Sequence, residues 1–180
     1  MNVCVFCGSA AGARNDYADA AIEMGNLICK TQSSLIYGGG NIGLMGIVAD
    51  EVMRLGGHVI GVIPDFLLQR EVAHKGITQL EVVNSMHDRK RRMADLADAF
   101  VAMPGGWGTL DELAEILTWK QLGLIHASVG ILNTQGYFNP LIEQMELMVK
   151  EGFLQANNLK ELKISETPHQ LLLQLGVITR

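Results

Sequence analysis

Charge is scarce in this chain. Only 18% of its 180 residues are charged and 48% are hydrophobic, so much surface is expected to be buried, part of it against a second subunit. Positive charge is scarcer than negative. The formal net charge is −5, which argues against nucleic-acid binding. No apolar stretch is long enough to span a bilayer, so no membrane partner is expected. Met1, Asn2 and Val3 lead straight into an apolar run, with no basic region and no cleavage site. No signal peptide is therefore expected, and the expected location is cytoplasmic. Cysteine is limited to Cys4, Cys7 and Cys29, which fits a reducing compartment. Cys4 and Cys7 have C-x-x-C spacing, but strand positions i and i+3 point to opposite faces. Buried apolar thiols fit better than redox or metal chemistry. No P-loop lysine is present, and no His/Cys/Asp cluster suggests a metal. Neither metal nor cofactor is expected.

What is present is a regular alternation. Strands are predicted near 2–6, 34–37, 58–63, 80–83, 99–103 and 129–132. Helices are predicted near 15–31, 43–56, 86–97, 109–122 and 138–151, with a short one after Pro168. The runs at 58–63 and 129–132 are nearly all apolar, as strands covered on both faces should be. Such alternation implies an α/β fold, a doubly wound parallel sheet with helices on both faces. Residues 1–180 read as a single nucleotide-binding domain. Segment 64–79 lacks periodicity and reads as a mobile loop.

Glycine clusters fall where strands hand over to helices. Pro104-Gly105-Gly106-Trp107-Gly108-Thr109 follows the run at 99–103 and precedes Leu110, Leu113, Ile116 and Leu117 at helical spacing. Gly38-Gly39-Gly40-Asn41-Ile42-Gly43 follows the second strand, and Cys7-Gly8-Ser9 follows the first. Helix N-termini expose unpaired N–H groups at the positive end of the helix dipole and favour a phosphate. Right-handed crossovers place these loops along one rim, where open α/β sheets bind ligands. Glycines 38, 40 and 43 have G-x-G-x-x-G spacing, but Val59 and Ile60 stand where a dinucleotide site needs an acid. One phosphate, as in a mononucleotide, fits better than two or three.

Two charged residues stand out. Arg89, with Lys90 beside it, falls on the apolar stripe of Met86, Met93, Leu96 and Ala97. A cation on a buried face needs an anion. Arg91 and Arg92 read as a solvated helix end. Glu112 closes a T-x-x-E sequence and could be the N3 residue of a capping box, yet it also lies one turn inside the glycine junction, with Glu115 at i+3. The same helix carries Ile116, Trp119 and Leu122 on the Glu112 side and Leu113 and Leu117 opposite. Apolar residues on both sides imply burial on both, which puts a site at or near a homodimer interface.

On Gly38-Gly39-Gly40 with Gly43-Leu44-Met45-Gly46, Met86 to Met93 with Arg89-Lys90, and Pro104-Gly105-Gly106-x-Gly108-Thr109-x-x-Glu112, the chain resembles the Lonely Guy family. These are cytokinin riboside 5′-monophosphate phosphoribohydrolases, long mislabelled as lysine decarboxylases. The resemblance runs from Cys7-Gly8-Ser9 to about Gly152. It implies a Rossmann-like homodimer that cleaves the N-glycosidic bond of a purine nucleoside 5′-monophosphate, AMP included. Arg89 and Glu112 match the family's catalytic pair. Gly105, Gly106, Gly108 and Thr109 match its phosphate-binding positions. Ser9, Gly39, Gly40, Met86, Lys90, Trp107 and Glu115 complete the expected substrate-binding set. Three alternatives stand beside it. One is a pyridoxal-phosphate decarboxylase with Lys90 or Lys120 as Schiff base. The second is a non-catalytic molybdenum-cofactor carrier or nucleotide sensor. The third is a nucleosidase of broader range.

Overall fold

The apolar runs are strands, and every pair of them is parallel. The computed structural model describes residues 1–68 and 73–178. Its strands are β1 (Asn2–Phe6), β2 (Ser34–Tyr37), β3 (His58–Pro64), β4 (Gln79–Val83), β5 (Ala99–Ala102), β6 (Ser128–Leu132) and β7 (Lys163–Ser165). The helices are α1 (Asn15–Lys30), α2 (Gly43–Arg54), α3 (Met86–Leu96), α4 (Trp107–Gln121), α5 (Asn139–Lys150), α6 (Ala156–Glu161) and α7 (Pro168–Gln174). The sheet order is β4-β3-β2-β1-β5-β6-β7. The chain winds outward from β1 to β4, then returns to the far side of β1 and winds outward again. Val3 thus pairs with Leu35 on one side and Ala99 on the other. The direction reverses between β1 and β5, and that switch point is where such sheets open a crevice.

Alternation along β1 serves two cores. Val3, Val5 and Cys7 pack under α1, α2 and α7, while Cys4 and Phe6 pack with Met93 of α3 and Leu113 of α4. Cys4 and Cys7 thus belong to opposite faces, as their spacing predicts. The Phe6 ring stacks on Phe100 at 5.9 Å between centroids. Helix starts are set locally. Ser85 caps α3 by accepting from the Asp88 N–H, and Thr167 caps α7 with Pro168 just inside.

Three sequence readings change. The short β7 and α6 were not predicted. Helix α4 begins at Trp107, not 109, with Gly106 as its N-cap. The segment read as a mobile loop holds a 3-10 turn at Asp65–Leu67, a bridge from Ala73 to Gly40 and a buried His74. Its residues 69–72 lie outside the described ones. Among the described residues, no helix is long and apolar enough to cross a membrane.

Candidate functional site

Three strand-to-helix loops meet at the switch point. The Gly8 N–H donates to the Pro104 carbonyl at 3.0 Å, and the Leu44 N–H of α2 donates to the Gly8 carbonyl at 3.0 Å. The ends of β1, β2 and β5 are thereby tied around one cavity of about 200 Å³.

The first turn of α4 forms one wall. With the helix beginning at Trp107, Thr109 is its third residue, and no side chain caps the helix. The T-x-x-E sequence is therefore not a capping box, and Glu112 falls in the second turn. The leading N–H groups of Trp107, Gly108 and Thr109 have no partner within the helix, and all three residues line the cavity. Gly105 lets the loop close on this turn, since a Cβ there would lie 2.1 Å from Thr109 Oγ1.

The floor is an ion pair. Arg89 and Glu112 are only 5% and 8% exposed, and Arg89 Nη2 lies 4.0 Å from Glu112 Oε1. The same nitrogen donates to the Gly38 carbonyl at 3.1 Å. A buried carboxylate is thus held beside a buried cation, where charge acts more strongly than in water. Cys4 and Cys7 lie beneath it. Burial pushes both thiols up, and the Glu112 charge adds to the effect. They stay protonated, poor nucleophiles and poor ligands. Among the described residues, no three His, Cys, Asp or Glu side chains converge as a metal site requires.

Ser9, Met86, Arg89, Gly106, Trp107, Gly108, Thr109 and Glu112 all line this cavity. Other expected residues do not. Gly39 spends its carbonyl on the His74 N–H at 2.9 Å, and Gly40 bridges Ala73. Lys90 reaches Asp111 at 3.2 Å and Glu115 at 3.1 Å, tying α3 to α4. Gly105 lines a neighbouring cavity of about 300 Å³, with Tyr17, Leu44 and Tyr137, that shares Gly8, Ser9 and Gly106 with the first. Sequence reasoning missed Gly38, Met45, Leu67 and Asp111, which also line the first cavity. For Gly38 a signal existed, as the first glycine after a strand. For Leu67 there was none.

A family model described as "Possible lysine decarboxylase" matches residues 45–175. The cytokinin riboside 5′-monophosphate phosphoribohydrolase LOG of Oryza sativa subsp. japonica is 44% identical over 96% of this chain and 72% of its own length. LOG1 of Arabidopsis thaliana, a cytokinin riboside 5′-monophosphate phosphoribohydrolase, is 49% identical over 84% of this chain and 71% of its own. The chain belongs to the Lonely Guy family. Among solved structures, the molybdenum cofactor carrier protein of Chlamydomonas reinhardtii superposes with a TM-score of 0.69 at 21% identity, covering 93% of this chain and 91% of that one. The molybdenum cofactor binding protein of Rippkaea orientalis gives 0.68 at 21% identity, over 93% and 90%. At that identity they share the fold alone.

The decarboxylase label in the family description finds no support in the lysines. A Schiff-base lysine must be neutral to attack. Burial alone would lower the Lys90 ammonium, but its contacts with Glu115 and Asp111 outweigh burial and hold it above the ordinary range. Lys120 donates to the Ala127 carbonyl at 3.1 Å and faces Glu161 at 3.5 Å, and it does not line the first cavity.

Proposed function

We infer that this chain hydrolyses the N-glycosidic bond of purine riboside 5′-monophosphates of the cytokinin type, releasing free base and ribose 5-phosphate. The observation that carries the reading is the buried Arg89–Glu112 pair lying beneath a helix N-terminus that no side chain caps. The phosphate rests on the first turn of α4 and on Gly106. The ribose then lies over Glu112. As the base departs with the bond electrons, positive charge grows on the sugar, as in glycoside hydrolysis. The Glu112 carboxylate stabilises that charge, and water completes the bond to the sugar carbon while its surplus proton ends on the departed base. Arg89 orients the carboxylate and offsets its buried charge. A binder of phosphate alone has no use for a buried carboxylate there. Met45, Leu67 and Met86 line the cavity and give an apolar wall for the base and its N6 substituent. AMP, lacking that substituent, is a second substrate in this reading.

The working unit is a homodimer with the site near the interface, in the cytoplasm. Its support is exposed apolar surface. Phe153 and Trp107 are 87% and 88% exposed, and Leu122 and Leu124 are each 63%. Leu117, Leu141, Met145 and Leu159 line a groove beside Phe153. On the side of α4 shared with Glu112, Ile116 is already buried within the chain, while Leu122 is not. The uncovered residues lie at both ends of α4 and after α5.

Product analysis tests the reading. The protein is incubated with AMP and with N6-isopentenyl-AMP, and free base and ribose 5-phosphate are measured. Release from the isopentenyl substrate is expected, with loss of at least about 100-fold in Glu112→Ala and an unchanged melting curve. Full turnover in that variant would remove Glu112 from the mechanism. Ligand held without any release would favour a carrier.

A further inference from the structure

We propose that Tyr137 is a positioning residue for the phosphate site, fixing which way the Gly105–Gly106 peptide faces. The inference rests on the reading above that a phosphate occupies the N-terminus of α4. The Tyr137 hydroxyl donates to the Gly105 carbonyl at 2.5 Å, from a loop that follows a different strand. The described chain has no cis peptide, so this carbonyl and the Gly106 N–H point to opposite sides of one planar unit. Tyr137 draws the oxygen toward the second cavity. Gly106 borders both cavities, so its N–H is turned toward the first, where an anion would sit.

The peptide needs such a restraint because glycines flank it. Backbone rotation at two residues without Cβ atoms costs little, and a Cβ at Gly106 would meet nothing within 4 Å. A flipped peptide would offer a carbonyl oxygen to the phosphate, replacing attraction by repulsion. Tyr137 is itself firmly held. Its ring meets Tyr17 and Phe138 edge-on, at 5.7 and 4.9 Å between centroids. The loop before it is pinned by a 2.9 Å bond from Gln135 to Asp16, and by the Phe138 N–H donating to Asn133 Oδ1 at 2.7 Å. Gln135 adopts φ +54°, a left-handed conformation that a side chain rarely accepts.

Tyr137→Phe removes the hydroxyl and keeps both ring contacts. Calorimetric titration with ribose 5-phosphate and with adenosine is compared across wild type, Tyr137→Phe and Tyr17→Phe, alongside AMP kinetics and thermal melts. The proposal expects ribose 5-phosphate to bind Tyr137→Phe about tenfold more weakly, with KM for AMP rising by a similar factor. Adenosine affinity, kcat, melting temperature and the Tyr17→Phe control stay at wild-type values. Unchanged ribose 5-phosphate affinity overturns the proposal. So does equal weakening of both ligands with a lower melting temperature, which is the mark of general support. Wild type that binds no ribose 5-phosphate overturns it too. Wild type that binds ribose 5-phosphate yet releases no base sinks the hydrolase reading, while the comparison with Tyr137→Phe still decides the positioning role.

Discussion

Gly38 shows how a missing side chain can be a chemical requirement. A Cβ there would lie 2.0 Å from Arg89 Nη2, so any other residue displaces the guanidinium that faces Glu112. Gly38→Ala is expected to lower kcat by about 100-fold, as a misplacement of about 1 Å does elsewhere. Steady-state kinetics beside a thermal melt would check this, and wild-type kcat would show that Arg89 need not sit where it does. Arg89 itself was legible, because a cation on an apolar stripe calls for a partner. The glycines were legible only as a group. Which of them faces the cavity depends on Ala73 and His74, which occupy Gly39 and Gly40 from far along the chain. Local sequence carries no trace of that. The acidic partners of Lys90 were no more legible, since they lie on another helix.

Among the elements, the long ones were legible and the short ones were not. Apolar strands of four or five residues and amphipathic helices announce themselves by period. β7 is Lys-Ile-Ser at the sheet edge, with one apolar residue and no period to read. The start of α4 was misplaced because Gly106 caps it without a side chain, whereas Thr109 and Glu112 offered a familiar but unused signature. The packing of α1 on α2 turns on Glu51, which accepts from Asn26 and Arg54. The bonds from Arg54, with help from Asn26, hold its carboxyl below the ordinary range against the opposing push of burial. A depressed carboxylate stabilises the fold above its unfolded pKa, and that contribution is lost as pH falls through the folded value. Glu51→Gln is therefore expected to cost about 1–2 kcal/mol at neutral pH, with the gap to wild type closing in acid below the usual carboxylate range. Urea titrations across pH would measure it. A gap that stays constant would mean the charge plays no part.

For the whole molecule, the sheet order decides where the site stands, and the alternation of strands and helices already implied it. The face proposed for a second subunit was less legible, since composition reports surplus apolar residues without saying which stay uncovered. Phe153→Asp combined with Leu122→Asp is expected to shift the protein from dimer to monomer in sedimentation velocity. A wild-type monomer would defeat the homodimer proposal. The register of β1 bears on synthesis as well. Val3 finds one neighbour in Leu35 but must await Ala99 for the other, and the crevice opens where β1 meets β5. A nascent chain can pair β1 with β2 early, yet it has no binding site until more than half of it has left the ribosome. High sequence separation slows folding, and here it also means that no fragment ending before β5 can hold a nucleotide in this crevice.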